Sequence, residues 1–550
     1  MTRYDTWLGF DTEDNSPELF EQFPALSIGY NKRLTQITSR NSNGDKFHSD
    51  GSSPDAFLSW LRGQKKCVAF AHNLQYDLGN LFRRKLDTID ITMIGGRLIK
   101  AQWRNVTFRD SFNIWPMSLA RLGAKFELEK GELDARSRAY AERDVDILMA
   151  AMDYALEFAT EHADGHLPAT LGGLSVRVWR AQGGRNWFCD MPVAREALYG
   201  GRVELFSQGG HGNIFLTDIN SLYPSCMLLP FPGPIERRKV LGDLFLTAYG
   251  IADVTVHIPE DSPYGVLPYR RRDGRVLYPV GVFRGTWTIA ELRYMQDHHL
   301  GTIKKVHRCF GTNQADRYYC RTIDKLYERR LHSTAECERE MLKLLMNNLY
   351  GQLGMSGMVT RSCLITEKHY KSQEIPGVPY GCKFLHTYRL PLPEHTNWLH
   401  AAYVTAYGRI DLLEHIRKVK PENLIYCDTD SLVFFHPSFD PLPFPISSKL
   451  GEMKLEHQAD YCETWSPKMY RLDDVYKAKG VPRKLARQFC EEGSASYTAP
   501  FKLRESIAFY DRADAKPLSV WRKIDKVRRS IYDVKRFTKG HWFPLVLPQT

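Results

Sequence analysis

The stretch Leu424–Phe435, LIYCDTDSLVFF, sets two apolar runs on either side of a polar tip. Such a pattern predicts a β-hairpin that turns at Asp428-Thr429-Asp430-Ser431. Carboxylates at the end of an apolar strand are an unusual placement for charge. Read as strand residues, Asp428 and Asp430 share one side, because side chains alternate with period two. A buried pair of this kind repels itself and shifts its own pKa upward unless cations neutralise it. Magnesium is the natural partner, being hard, oxygen-loving and usually shared with substrate phosphates. A lone DxD more often makes an ordinary turn, so its company decides the reading.

Working outward, a third aspartate, Asp218, ends the strand-like run NIFLTDI in NIFLTDINSLYPS. With Asp428 and Asp430 it could hold two ions, roughly 3.5–4 Å apart, for an in-line displacement. Between these segments lies a charged helical pattern from Arg317 to Leu349. Within and just beyond it, Arg339, Lys343, Asn347 and Tyr350 recur at helical spacing and so line one face. Two cations, an amide and an aromatic suit a triphosphate and a base. Lys343 would neutralise charge developing on the phosphates.

A second acidic set lies near the N-terminus. FDTE puts Asp11 and Glu13 on one side of a strand. Asn73 and Asp77 follow another apolar run in AFAHNLQYDL, and YAERDVDIL sets Tyr140 and Asp144 four apart on one helix face. These four carboxylates could hold two further ions, with Tyr140 orienting a water.

The bulk numbers agree. A chain of 550 residues is long enough for about two or three domains, and 43% hydrophobic with 25% charged residues is ordinary for a globular protein. A net charge of +11 and a pI near 9.0 favour an anionic partner, nucleic acid first. Eleven scattered cysteines without a CxxC pair argue against structural zinc and a disulfide framework, and fit a reducing compartment. With no apolar signal core or long uncharged apolar run, a cytoplasmic protein without a membrane partner is expected. Short strands alternating with helices open the chain as an α/β unit. The glycine-rich stretch from Leu167 to Arg185 reads as a looser passage to the next domain, and Lys371 to Pro393 as an extended excursion.

The ordered set resembles family B DNA polymerases. DINSLYP is similar to their motif A, KLLMNNLYG to motif B with Asn348 in place of Ser, and YCDTDS to motif C. LGEMKLE at Leu450 resembles the family's LGxWKxE stretch, with Met453 in place of Trp. SPKMYRL resembles the KxY motif that holds a primer end, which implies Lys468 and Tyr470 as DNA contacts. The resemblance implies that Tyr223 presses against the incoming sugar, and that Arg330 is a further triphosphate contact, with Arg329 competing for the role. The N-terminal set resembles the Exo I, Exo II and Exo III motifs of proofreading exonucleases. That likeness implies single-strand contacts at His72, Asn73, Tyr76, Ser118 and Leu119, and a catalytic lysine, Lys130, in KGEL.

The implied fold is mixed α/β, an RNase H-like 3′→5′ exonuclease domain followed by a right-hand palm, fingers and thumb. Its expected boundaries are an exonuclease at 1–170, a linker at 171–198, palm and fingers at 199–485 and a thumb at 486–550. Within the palm and fingers, insert 1 falls at about 241–312, the fingers at 315–350 and insert 2 at 357–393. The basic, aromatic-laced WRKIDKVRRSIYDVKRFTKG is the expected thumb surface for a duplex backbone. SLARL, KGEL and the two inserts resemble the protein-primed branch of phages and linear plasmids. The branch's Tyr-x-Gly-Gly linker is altered, since Tyr199 directly precedes Gly200. The resemblance implies a DNA-dependent polymerase with two Mg²⁺ ions per site, Mn²⁺ being the alternative. Its expected partners are primer–template DNA, deoxynucleotides and a terminal protein, with the chain a monomer in a phage-infected cell. A self-priming polymerase, a nuclease or repair factor, a reverse transcriptase and a non-enzymatic remnant are the rival readings. A reverse transcriptase would carry YxDD rather than DTD and lack the exonuclease set.

Overall fold

The structure is a computed structural model that describes residues 6–14, 34–50, 53–82, 88–94, 96–131, 137–235, 248–355, 360–366, 377–380, 383–437, 440–500, 521–528 and 535–547. Two large sheets organise it.

The first sheet is built around the strand Thr6–Asp14, which pairs antiparallel with Leu34–Asn41 and parallel with Cys67–Ala71. Cys67–Ala71 is buried along its whole length, which explains why it reads as a continuous apolar run rather than an alternating one. The helix Arg138–His162 lies against this sheet and buries Ala141, Val145, Leu148, Met152 and Ala155. Those positions recur every three or four residues, so one stripe faces inward. The indole of Trp115, fully buried, donates to the Ala151 carbonyl at 3.1 Å and keys the following loop onto that helix.

The second sheet is antiparallel, in the order 475–478, 469–472, 453–466, 209–219, 431–435, 424–428 and 203–205. The expected hairpin is present, with Leu424–Asp428 and Ser431–Phe435 joined across the Asp428–Ser431 pair. Only Thr429 and Asp430 lie between them, and Thr429 takes φ 63°. Asp430 is therefore a turn residue. Strand alternation does not relate it to Asp428, as the sequence reading assumed; the turn itself brings it forward.

The glycine-rich stretch also differs from expectation. Leu171–Ala181 is a helix, capped by Thr170, and it packs on the helix Glu336–Leu353. A Cβ on Gly172 would stand 2.1 Å from the Gln352 amide, so here glycine permits close helix approach instead of looseness.

Both inserts take definite places among the described residues. Residues 248–312 form an antiparallel sheet of 249–258, 280–288 and 302–312, to which the C-terminal strand Val546–Leu547 adds in parallel. The strand Thr360–Thr366 adds to the edge of the first sheet, pairing Arg361 with Ile94 and Cys363 with Thr92. The expected thumb divides similarly. Ser494–Pro500 and Trp521–Val527 make a two-stranded ribbon, whereas Lys535 returns under the second sheet and donates to the Leu205 carbonyl. One continuous apolar core runs from Phe70 and Trp115 through Leu174 and Trp179 to Leu345, Leu432 and Met453. Each large side chain buried there contributes about 1.5–3 kcal/mol, so the two sheets are held as one body.

Candidate functional site

A cleft of about 790 Å³ opens between the second sheet and the helix Glu336–Leu353. Asp218 and Asp430 stand on its floor. Asp218 pairs across the sheet with Ser431, and the Asp430 carbonyl accepts from the Ile219 amide at 2.7 Å, so the turn is tied to the strand bearing Asp218. The helix supplies the opposite wall with Arg339, Lys343, Asn347 and Tyr350, all four in phase as the spacing predicted. Its other stripe, Met341, Leu342, Leu345, Met346 and Leu349, is buried, and that burial fixes which face looks into the cleft. Tyr223 completes the wall, its ring 4.3 Å from that of Tyr350.

Arg330 lines the cleft as well, and Arg329 does not. Arg329 turns the other way, bonding Glu338 and His162 and lying over Phe158. Tertiary packing thus turns only Arg330 of these two neighbours into the cleft.

Burial first, then repulsion from Asp218 and Asp428, pushes the Asp430 carboxyl up to about 7. Burial also raises Asp218, with the ammonium of Lys454 acting against it. Asp428 stands apart from the cleft lining. It accepts from the Tyr426 hydroxyl at 3.1 Å and from Lys468 at 2.6 Å. Tyr470 is buried beneath, its ring 5.3 Å from that of Tyr426.

The N-terminal acidic set is tighter. One carboxylate oxygen each of Asp11, Glu13 and Asp144 lies within 4.8 Å of the others, the only such trio among the described residues. Asp11 Oδ2 and Asp144 Oδ1 are buried without a hydrogen-bond partner. Orphaned acceptors facing one another fit a bound divalent cation. Burial, followed by repulsion from Asp77, Glu13 and Asp144, holds the Asp11 carboxyl well above its usual range. Asp77 sits beside the trio, accepting from the Thr12 amide at 3.1 Å and hydroxyl at 2.8 Å. Lys130 bonds Asp144 and lies 4.7 Å over the ring of Tyr140.

The expected strand contacts are distributed unevenly. Asn73 is exposed in a left-handed turn, its amide donating to Asp110 at 2.9 Å. Tyr76 and Leu119 are half-buried nearby. His72 pairs through both ring nitrogens, with Ser111 Oγ and the Met117 carbonyl, and burial keeps its pKa low. Ser118 caps the helix Leu119–Lys125. Two groups escaped sequence reasoning. Phe112 is exposed with its ring 5.5 Å from His72, and Lys454 reaches Asp218 from the stretch LGEMKLE. An exposed aromatic has no sequence signature; Lys454 lay in a recognised motif but carried no assigned role.

Comparison with known proteins agrees with this geometry. Residues 190–431 match the family described as DNA polymerase type B, organellar and viral. The DNA-directed DNA polymerase of Enterobacteria phage PRD1 is 25% identical over 470 residues, covering 78% of this chain and 79% of that protein. A probable DNA polymerase of Ascobolus immersus is 27% identical over 315 residues, 52% of this chain but only 25% of that longer protein. Among solved structures, Phi29 DNA polymerase complexed with primer–template DNA and incoming nucleotides superposes with a TM-score of 0.69 at 17% identity, over 95% of this chain and all of that one. That likeness establishes the shared fold.

Proposed function

We propose that the chain is a DNA polymerase of the organellar and viral type B, the family that its residues 190–431 match, and that it both extends a DNA primer and proofreads it. The cleft carries the reading: Asp218 and Asp430 lie with Arg339, Lys343, Asn347 and Tyr350 around a space of nucleotide size. In this reading residues 1–170 are the 3′→5′ exonuclease, 199–485 the palm and fingers, and the ribbon of the C-terminal region the thumb.

Asp218 and Asp430 would hold two Mg²⁺ ions, with Asp428 supporting from behind the turn. Bound there, the ions would supply the charge that activates a primer 3′-hydroxyl and stabilises the departing pyrophosphate. The chain's own groups do the rest. Arg330, Arg339 and Lys343 bind the triphosphate, Asn347 and Tyr350 orient the nucleotide, and Tyr223 excludes a 2′-hydroxyl. Lys468 steadies the primer end. At the other site Asp11, Glu13, Asp77 and Asp144 are the acidic set, with Lys130 and Tyr140 placed to orient water and Asn73, Tyr76 and Leu119 beside the frayed strand.

Priming by a terminal protein and strand displacement are the finer reading, supported by the likeness to a phage polymerase and by the two inserts. Deoxynucleotides and Mg²⁺ on primed and unprimed single-stranded circles test it. Products far longer than the primed circle are expected, and none on the unprimed one. Asp218→Asn should abolish synthesis while leaving degradation of single strands intact; loss of both, or of neither, would overturn the two-site reading.

A further inference from the structure

The strand Met453–Ser466 pairs with Gly209–Ile219 in a register that sets Lys454 directly opposite Asp218. Cross-strand partners share one face of a sheet, so both side chains enter the cleft. Lys454 Nζ lies 3.5 Å from Asp218 Oδ1 and 2.5 Å from Glu456 Oε1. Glu456 also lines the cleft. One ammonium thus has two acceptors, and one of them belongs to the pair that would hold the ions.

We propose that Lys454 is a positioning residue that occupies the ground beside Asp218 until a divalent ion arrives and then passes to Glu456. This rests on the polymerase reading of the cleft. Three carboxylates, Asp218, Asp430 and Glu456, line this cleft, and Asp218 is repelled by Glu456 as Asp430 is by Asp218. Lys454 is the cation paired with both Asp218 and Glu456. An ammonium beside Asp218 also competes with any ion for the same carboxylate. Glu456 resolves the competition, because it takes the ammonium without leaving a charge unpaired. Lysine suits the exchange, being a compact charge on a flexible four-carbon stem. Lys343, on the helix opposite, also acts on Asp218, and Arg330 and Arg339 line the same cleft. In the polymerase reading those three have the triphosphate to bind, whereas Lys454 shares a sheet face with Asp218.

Manganese binding, followed by the electron paramagnetic resonance of the free ion, tests the exchange without relying on turnover. The full chain carries D11A and D144A so that the remaining binding reports on the cleft. Lys454→Met should tighten Mn²⁺ binding on the order of three- to tenfold, and Glu456→Gln should weaken it similarly. In the double variant the Glu456→Gln effect should shrink toward nothing, because the ammonium it received is gone. In the exonuclease-competent chain, Lys454→Met should lower kcat for extension while KM for the nucleotide changes little. Strictly additive effects of the two substitutions, or unchanged affinity in Lys454→Met with an unaltered melting temperature, would overturn the proposal. Failure of the polymerase reading looks different: Asp218→Asn would then leave Mn²⁺ binding untouched.

Discussion

Lys468 donates to both carboxylate oxygens of Asp428, 2.6 Å from Oδ2, on a backbone turned left-handed at φ 63° whose N–H donates to the Tyr426 hydroxyl at 2.9 Å. One motif thus holds another: the KxY turn grips the aspartate that begins the DTD turn. Lys468→Ala leaves Asp428 without its cation. Primer extension should fall about ten- to a hundredfold, the range of a lost charged hydrogen bond. Arginine at the same position should restore part of it, and exonuclease rates should stay at the original level. Steady-state extension of an annealed oligonucleotide measures the first two, and decay of a labelled single strand the third.

Arg329 and Arg330 should separate cleanly. Arg330→Ala is expected to raise KM for the deoxynucleotide about tenfold, since it removes one cationic contact. Arg329→Ala should leave that KM alone and lower the melting temperature, because its partners are Glu338, His162 and Phe158. Reversal of the two phenotypes would assign the triphosphate contact to Arg329.

The linker glycines offer a steric test. A Cβ on Gly201 would meet the Thr429 side chain at 2.7 Å and the Tyr223 hydroxyl at 2.9 Å, whereas one on Gly200 meets nothing within 4 Å. Gly201→Ala should therefore disturb the DTD turn at a cost of about 1–3 kcal/mol and depress synthesis more than degradation. Gly200→Ala should lie within about 0.5 kcal/mol of the parent. Equal effects in thermal melts and extension assays would contradict this packing.

Asp430 sets a pH dependence. Its folded pKa, about 7 without an ion, lies above the ordinary carboxylate value, so the folded chain holds this proton more tightly than the unfolded one. Folding stability from this group is therefore present at low pH and is lost as pH rises toward about 7. Ion binding needs the ionised form and runs the other way. Mg²⁺ affinity of the cleft should climb up to about tenfold per pH unit below 7 and level off above it. Melting-temperature shifts with added Mg²⁺ at pH 5.5, 6.5 and 8, in a chain lacking the N-terminal carboxylates, would show the trend. A flat response would remove Asp430 from the ion site.

The sequence by itself determined whatever local periodicity can carry. Period two placed Asp11 and Glu13 together, and a spacing of four placed Tyr140 with Asp144. Spacings of four, four and three aligned Arg339, Lys343, Asn347 and Tyr350, which share one wall of the cleft. Such relations survive folding because helix and strand geometry repeat within a few residues.

Only the tertiary structure decided the relations between distant segments. It placed Arg330 rather than Arg329 in the cleft lining, turned Leu171–Ala181 into a packed helix, brought Asp430 forward through a two-residue turn and set Lys454 against Asp218. These outcomes depend on strand register and on which helix face finds an apolar partner. Both are fixed by burial and hydrogen bonding between residues far apart in the chain, where a one-residue slip would turn every side chain to the opposite face.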